Sequence, residues 1–486
     1  MPKEITDDML YLSVRELAAL IRTRQISPVA LTEGYLDRLE RLGPKLGAVV
    51  TVTREQAVKE ARQAETEIRA GRYRGPLHGI PYGAKDLLAT AGIPTTWGAE
   101  PLKQQVFDYD ATVVKRLRAA GAVLVAKLAM VELAGGFGYN NADASFTGPG
   151  RTPWNMNYWS GGSSSGPGAA TAAGLVAFAI GSETSGSIIT PSAYCGVAGL
   201  RPTYGRVSRH GAMALSWTLD KLGPMCRTAD DCGLVLAAIA GYDRLDPTSA
   251  RRKFSYPDLA TRGRGQRFRI GVIKHSTAVV QPEVKANFDA SLKALGQFCD
   301  IDEAVIFPDL PYGPVVSLIV SAEGASAFRD LITTGAATRL RAANDRWGGY
   351  ASSMVLAVDY LNAMRVRGRM KRELDALYAK YDALVAPSRG SVAYPLGIDF
   401  DKAYPELSAR PAAPASSPPL TIPAVIPAGN IAGQPAISVP NGFGANHLPT
   451  GIQFTGRAWS EAKLLAIANA YQQATDWHMQ RPPLQA

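Results

Sequence analysis

Three stretches of this chain gather small residues around groups that can act as a nucleophile or a base. They are GIPYGAKD at 79–86, GGSSSGPG at 161–168 and GSETSGSIITPS at 181–192. None contains histidine. The five histidines (His78, His210, His275, His447 and His478) lie away from these serines in sequence, which leaves their position in space open. A Ser-His-Asp hydrolase needs an imidazole base and commonly carries its serine in a GxSxG elbow, so a lysine base is the simpler expectation here. Lysine serves as a base once burial lowers its pKa towards neutrality. Lys85 lies between the apolar pairs Ile80-Pro81 and Leu87-Leu88, and the competing reading is a surface lysine paired with Asp86. The GGSSSG loop offers hydroxyls and unhindered N–H groups that suit a proton relay or an anion. A phosphate loop would need GxxxxGK[ST], and no lysine follows. In GSETSGS the small residues let the backbone N–H groups of Thr184, Ser185, Gly186 and Ser187 converge on a developing oxyanion; the alternative is a tight structural turn before Ile188 and Ile189.

Together the three stretches resemble the amidase-signature family, in which a lysine follows a GxPxxxKD pattern, a GGSS loop supplies a serine with a cis peptide bond, and a GGS turn supplies the nucleophile. Carried over residue by residue, the resemblance makes Lys85 the base, Ser163 the relay and Ser187 the nucleophile, with Ser164 and Ser165 in reserve; Ser187 follows Ser163 by 24 residues, as in the family. It extends through CGVAGLRPTYGRVSR at 195–209, DALVAP at 382–387, NIAGQPAISVP at 430–440 and ATDWH at 474–478. The implied fold is α/β: a single domain over residues 1–486, an α/β/α sandwich around a large mixed β-sheet. The implied reaction is cleavage of an amide-type C–N bond, with Ser187 forming an acyl-enzyme, Lys85 acting through Ser163, and Thr184, Ser185 and Gly186 forming the oxyanion hole. A small amide, or an aryl or apolar one, is the first expected substrate, a carbamate or ester the next. A third reading is the catalytic subunit of a tRNA-dependent amidotransferase. No metal or organic cofactor is implied.

The sequence departs from the family at GGSSSGPG, where GGSSGGS is usual, and at Glu183, Ser185 and Ile189, where the common GSDTGGSIR has Asp, Gly and Arg. These changes argue against the glutamyl-tRNA amidotransferase branch. So does the segment Gly135, Gly136, Phe137, Gly138 and Tyr139, which stands where that branch is rich in Ser and Thr. The same five residues are the candidate substrate-binding segment. Phe137 and Tyr139 either favour an aromatic or apolar group or pack into the core.

Elements that could position these groups are visible along the chain. Ser13-x-x-Glu16 forms a capping-box pattern ahead of a first helix, and Ser27-Pro28 opens a second. Residues 49–53 predict a strand and 56–70 a helix; 111–120 predict a helix stopped at Gly121, with a strand at 122–126. An apolar helix is expected over 169–178. AISVP predicts a buried strand, and 460–475 a helix. Helical spacing without strands over 311–381 predicts a cap or pocket-covering insertion. The Pro-rich stretch 411–427 predicts a surface excursion within one domain.

Composition excludes disorder: 46% of residues are hydrophobic and 19% charged. The net charge of +10 comes from scattered residues. Its densest cluster, Arg365, Arg367, Arg369, Lys371 and Arg372, reads as one solvated face of an amphipathic helix, so no nucleic-acid partner is expected. Cys195, Cys226, Cys232 and Cys299 form neither a CxxC pair nor a disulfide framework. The amino terminus is charged, and the longest apolar run, 169–180, is too short for a bilayer. A cytoplasmic protein acting on a small molecule without a membrane is expected, and a homo-oligomer is compatible with this.

Overall fold

The computed structural model describes residues 3–256, 267–407 and 424–484. Its amino-terminal helices form where local chemistry dictates. The Ser13 hydroxyl accepts the N–H of Glu16 while the Glu16 carboxylate accepts the N–H of Ser13, closing the capping box of helix Val14–Arg22. Ser27 caps helix Pro28–Leu42, whose first residue needs no N–H partner.

Eleven strands form one mixed sheet: β1 Val49–Val52, β2 Pro81–Lys85, β3 Val123–Leu128, β4 Phe178–Glu183, β5 Ala198–Arg201, β6 Lys221–Cys226, β7 Phe268–Ile273, β8 Cys299–Val305, β9 Ala383–Pro387, β10 Ala436–Phe443 and β11 Pro449–Thr455. Their spatial order is β1-β3-β2-β4-β6-β5-β10-β11-β9-β7-β8. β2 runs parallel to both β3 and β4, and β4 is antiparallel to β6. Strand alternation sends side chains to two apolar layers. Tyr82, Ala84, Leu124, Phe178 and Ile180 join a core with helix residues Val14, Leu17 and Ile21. Val123, Val125 and Ala179 join another with Leu36, Leu39, Ala57 and Ala61. These are the two helical layers of an α/β/α sandwich.

Two expectations change. The apolar stretch 169–178 is not one helix: helix Ser165–Ala172 stops, Gly174 turns with φ +64, and Phe178 begins β4. A uniformly apolar run fits a buried helix and a buried strand equally, so its period could not divide it. The Pro-rich excursion lies largely outside the described residues, and helix Val425–Ala432 begins within its expected range. Over 311–381 the structure is helical, with helices Tyr312–Ala327, Arg329–Thr333, Ala343–Ser352 and Ala357–Tyr378. No described helix is long and apolar enough to cross a membrane.

Candidate active site

β2 ends on Lys85, and its register against β4 pairs Ala84 with Ile180. The Lys85 amine therefore emerges at the same end of the sheet as Ser182. On its other side β2 packs closely against β3 at Gly83, where a Cβ would lie 2.4 Å from Leu128 Cδ1. Lys85 Nζ lies 2.7 Å from Ser163 Oγ, 2.9 Å from Ser182 Oγ and 3.0 Å from Ser164 Oγ, and the side chain is fully buried. Burial drives its pKa well below the ordinary lysine value, against the opposing pull of Asp220 and Glu183. Asp86 does not act as a surface partner of Lys85. It is buried, 3.1 Å from Lys127, and accepts the N–H of Thr96.

The three hydroxyls around Lys85 are not equivalent. Ser164 Oγ donates to the Ser182 carbonyl at 3.1 Å and accepts the Ser182 N–H at 3.2 Å, so its proton is committed. Ser163 Oγ and Ser182 Oγ each have only Lys85 as a hydrogen-bond partner among the described residues, and the Gly162–Ser163 peptide is cis. A neutral amine has one lone pair, and Ser163 is free to donate to it.

After β4 the chain turns at Gly186, whose φ of +91 suits glycine, places Ser187, and enters helix Ile189–Cys195. The Glu183 carboxylate anchors this turn by accepting the N–H groups of Ile188 at 2.9 Å and Ile189 at 3.0 Å. It is held in turn by Arg201 at 2.8 Å and Asn430 at 2.7 Å. Burial opposes its ionisation, but Arg201, Asn430 and Lys221 prevail and hold it down to about 2. The Ser187 carbonyl accepts the N–H of Ser164 at 3.3 Å, joining the nucleophile turn to the serine loop. The N–H groups of Ser185, Gly186 and Ser187 donate to no acceptor among the described residues, the state an oxyanion hole requires before substrate arrives. Thr184 is fixed by its hydroxyl, which donates to Asp220 at 2.6 Å.

Ser187 opens onto a cavity of about 440 Å³ that Gly135 and Tyr139 also line. The rest of that segment turns elsewhere. Phe137 packs edge-on to Phe328 at 5.7 Å and its N–H donates to Asp345; Gly136 faces Phe328, and Gly138 turns with φ +102. Sequence reasoning missed Ser182, which lies inside a recognised motif. It also missed Trp159, Arg389, Tyr394 and Phe400 on the cavity wall and Val320 from the helical segment. Their one available signal was the position of Arg389 just after DALVAP; the others lie in stretches without a motif.

A mixed eleven-stranded sheet with a buried lysine on a serine cluster, beside the small-residue turn that carries Ser187, defines a hydrolase of the amidase-signature class. The Amidase family model matches residues 30–465, and the chain belongs to that family, whose members act on C–N bonds. It is 38% identical to a glutamyl-tRNA(Gln) amidotransferase subunit of Moorella thermoacetica, with 98% of this chain and 99% of the relative covered. Among solved structures it resembles the peptide amidase of Stenotrophomonas maltophilia, with TM-score 0.82, 31% identity, and 97% and 98% of the chains covered. It also resembles a chain of a vestigial protein complex tied to the origins of an s-triazine catabolic enzyme, with TM-score 0.85, 28% identity, and 96% and 99% covered. The expectation of no nucleic-acid partner is overturned by the first of these, a relative that carries a tRNA in its name. Scattered surface charge could not exclude a nucleic acid that works through a complex of several chains.

Proposed function

We propose that this chain cleaves an amide C–N bond through a Ser187 acyl-enzyme, as the amide-cleaving subunit of a tRNA-dependent amidotransferase that passes ammonia to a tRNA-bound acid. The observation that carries the chemistry is the fully buried Lys85 amine, 2.7 Å from Ser163 Oγ in the loop joined to Ser187. Neutral Lys85 takes the Ser163 proton as Ser163 takes that of Ser187. Ser187 attacks the carbonyl, and the N–H groups from Thr184 to Ser187 hold the oxyanion. The relay then returns the proton to the leaving nitrogen. The assembly role is supported by 38% identity to the Moorella thermoacetica amidotransferase protein along nearly its whole length.

A second reading is a free-standing amidase on a small aryl or apolar amide, with carbamates and esters as further carbonyls for the same machinery. It is favoured by the ring-walled cavity and by Ser185 and Ile189 at the nucleophile turn. In both readings residues 1–486 act as one amidase-signature unit whose segment 311–381 covers the pocket. Four buried, unpaired cysteines support a cytoplasmic setting. Purification of the chain alone separates the readings. An amidotransferase subunit turns over L-glutamine poorly until its partner proteins and charged tRNA are added, whereas brisk hydrolysis of anilides by the lone chain would reject that assignment in favour of the free enzyme.

A further inference from the structure

The cavity at Ser187 is walled by rings. Trp159 and Tyr394 stack on Phe400 at 4.6 and 4.9 Å between centroids, and Tyr139 meets Trp159 edge-on at 6.0 Å. One charged side chain lines it, Arg389. Its position is fixed by the sheet: it follows β9 by two residues, after Ser388, whose hydroxyl lies 2.7 Å from that of Ser438 on β10. Two buried arginines elsewhere in the fold, Arg201 and Arg206, meet carboxylates, Glu183 and Glu461, each at 2.8 Å. Arg389 has no such partner among the described residues, and its Nε is buried without a hydrogen bond. Its polar neighbours are the phenols of Tyr194 and Tyr394, with the Tyr194 ring centroid 5.9 Å from the guanidinium carbon. Burial pushes the Tyr194 phenol up, so it stays neutral; it can accept a hydrogen bond but cannot cancel a charge. Half-buried and without a carboxylate partner among the described residues, the Arg389 guanidinium keeps its charge available to a ligand, and its planar fork is the group best shaped to take a carboxylate on two parallel bonds.

We propose that Arg389 binds a carboxylate of the substrate, so that the substrates of this site are amides that carry a carboxylate elsewhere in the molecule. The inference rests on the amide-cleaving reading of Ser187: it names the residue that holds the carboxylate of L-glutamine in the first reading, and it restricts the second reading to anionic amides. Water exclusion by Trp159, Tyr394 and Phe400 strengthens the ion pair, and the pair orients the amide carbonyl towards Ser187. The carboxylate itself is not consumed.

The test pairs anionic amides with neutral ones of matched shape: succinamate with butanamide, glutaramate with pentanamide, and 4-carbamoylbenzoate with benzamide. Each is assayed for turnover by wild type, Arg389→Gln and Arg389→Lys. Each is also titrated calorimetrically into Ser187→Ala with and without Arg389→Gln, so that binding is read even where turnover is slow. The expected result is that at least one anionic amide is preferred over its partner. Arg389→Gln should then raise its KM or Kd by roughly 10- to 100-fold while moving the neutral partner by less than about threefold, and Arg389→Lys should recover part of the loss. Three results overturn the assignment: no carboxylate-selective binding by any pair, an equal change for anionic and neutral amides in Arg389→Gln, or a melting temperature so lowered in both variants that the residue is a structural support. Failure of the underlying reading looks different: selective binding persists, but Ser187 takes no fluorophosphonate label and no amide is hydrolysed.

Discussion

At Lys85, three hydroxyls surround one amine, and the hydrogen bonds set Ser164 apart as the one whose proton is already spent. Since Ser164 spends its proton on the Ser182 carbonyl, Ser164→Ala should reduce kcat far less than Ser163→Ala, in which only a bridging water could restore the path. Ser187→Ala and Lys85→Ala should each be nearly inactive, and the double variant little worse than either, because groups in one catalytic unit are not additive. Single-turnover rates with peptide mapping of a fluorophosphonate adduct check this; a label on Ser164 or near-normal turnover of Lys85→Ala would reject the triad. The depressed pKa of Lys85 sets the sign of the pH dependence. Activity needs the neutral amine, so kcat/KM should rise with pH through that lowered pKa and level off well below the ordinary lysine range. A limb that follows an unshifted lysine would contradict the relay. The three stretches that carry the proposed triad were legible in sequence because each is contiguous and compositionally unusual. Arg389, Tyr394 and Phe400 were not, because the cavity wall is assembled from distant segments that carry no local pattern.

At the level of elements, the nucleophile turn hangs on Glu183 and on Gly186. Removing the charge in Glu183→Gln leaves Arg201 buried and unpaired and weakens the hold on the N–H groups of Ile188 and Ile189, which should cost about 3–5 kcal/mol and lower kcat as the turn loosens. Denaturant unfolding measures the first effect; an unchanged midpoint would mean that Arg201 finds another partner. Gly186→Ala forces a Cβ into φ +91 and should cost about 1–3 kcal/mol, with most of the lost activity in kcat. The chain spelled out these elements where punctuation is local: the capping box at Ser13, Pro28 at its helix start, and Gly121 before β3. It failed to divide 169–178, where every residue is apolar or small and only the turn at Gly174 marks the change from helix to strand.

Across the whole molecule, the helical segment is tied to the loop of the catalytic cavity by two carboxyl groups. Glu132 accepts the N–H groups of Arg341 and Ala342, and the neighbouring Asp345 accepts that of Phe137. Burial, reinforced by the adjacent Glu132, pushes the Asp345 carboxyl well above its usual range. A carboxyl whose folded pKa is raised contributes stability that is fully present below its unfolded pKa and is lost as pH rises through the folded one. The melting temperature should therefore fall over that rise in pH, and Asp345→Asn should flatten this part of the profile. Identical profiles for the two proteins would show that the clamp does not titrate. Neither partner was visible beforehand, because pairing Glu132 with Asp345 requires the register of a helical segment about two hundred residues away.

The adjacency of β2 and β4 also bears on descent. Lys85 and the turn that carries Ser187 ride on neighbouring strands inside the sheet, whereas the rings, Arg389 and Val320 reach the cavity from separate parts of the chain. Mutations in those outlying parts can re-tailor what is accepted while the inherited proton path stays intact. A lineage built this way diversifies its diet before its chemistry, and the traces of ancestral function should persist longest along β2 and β4.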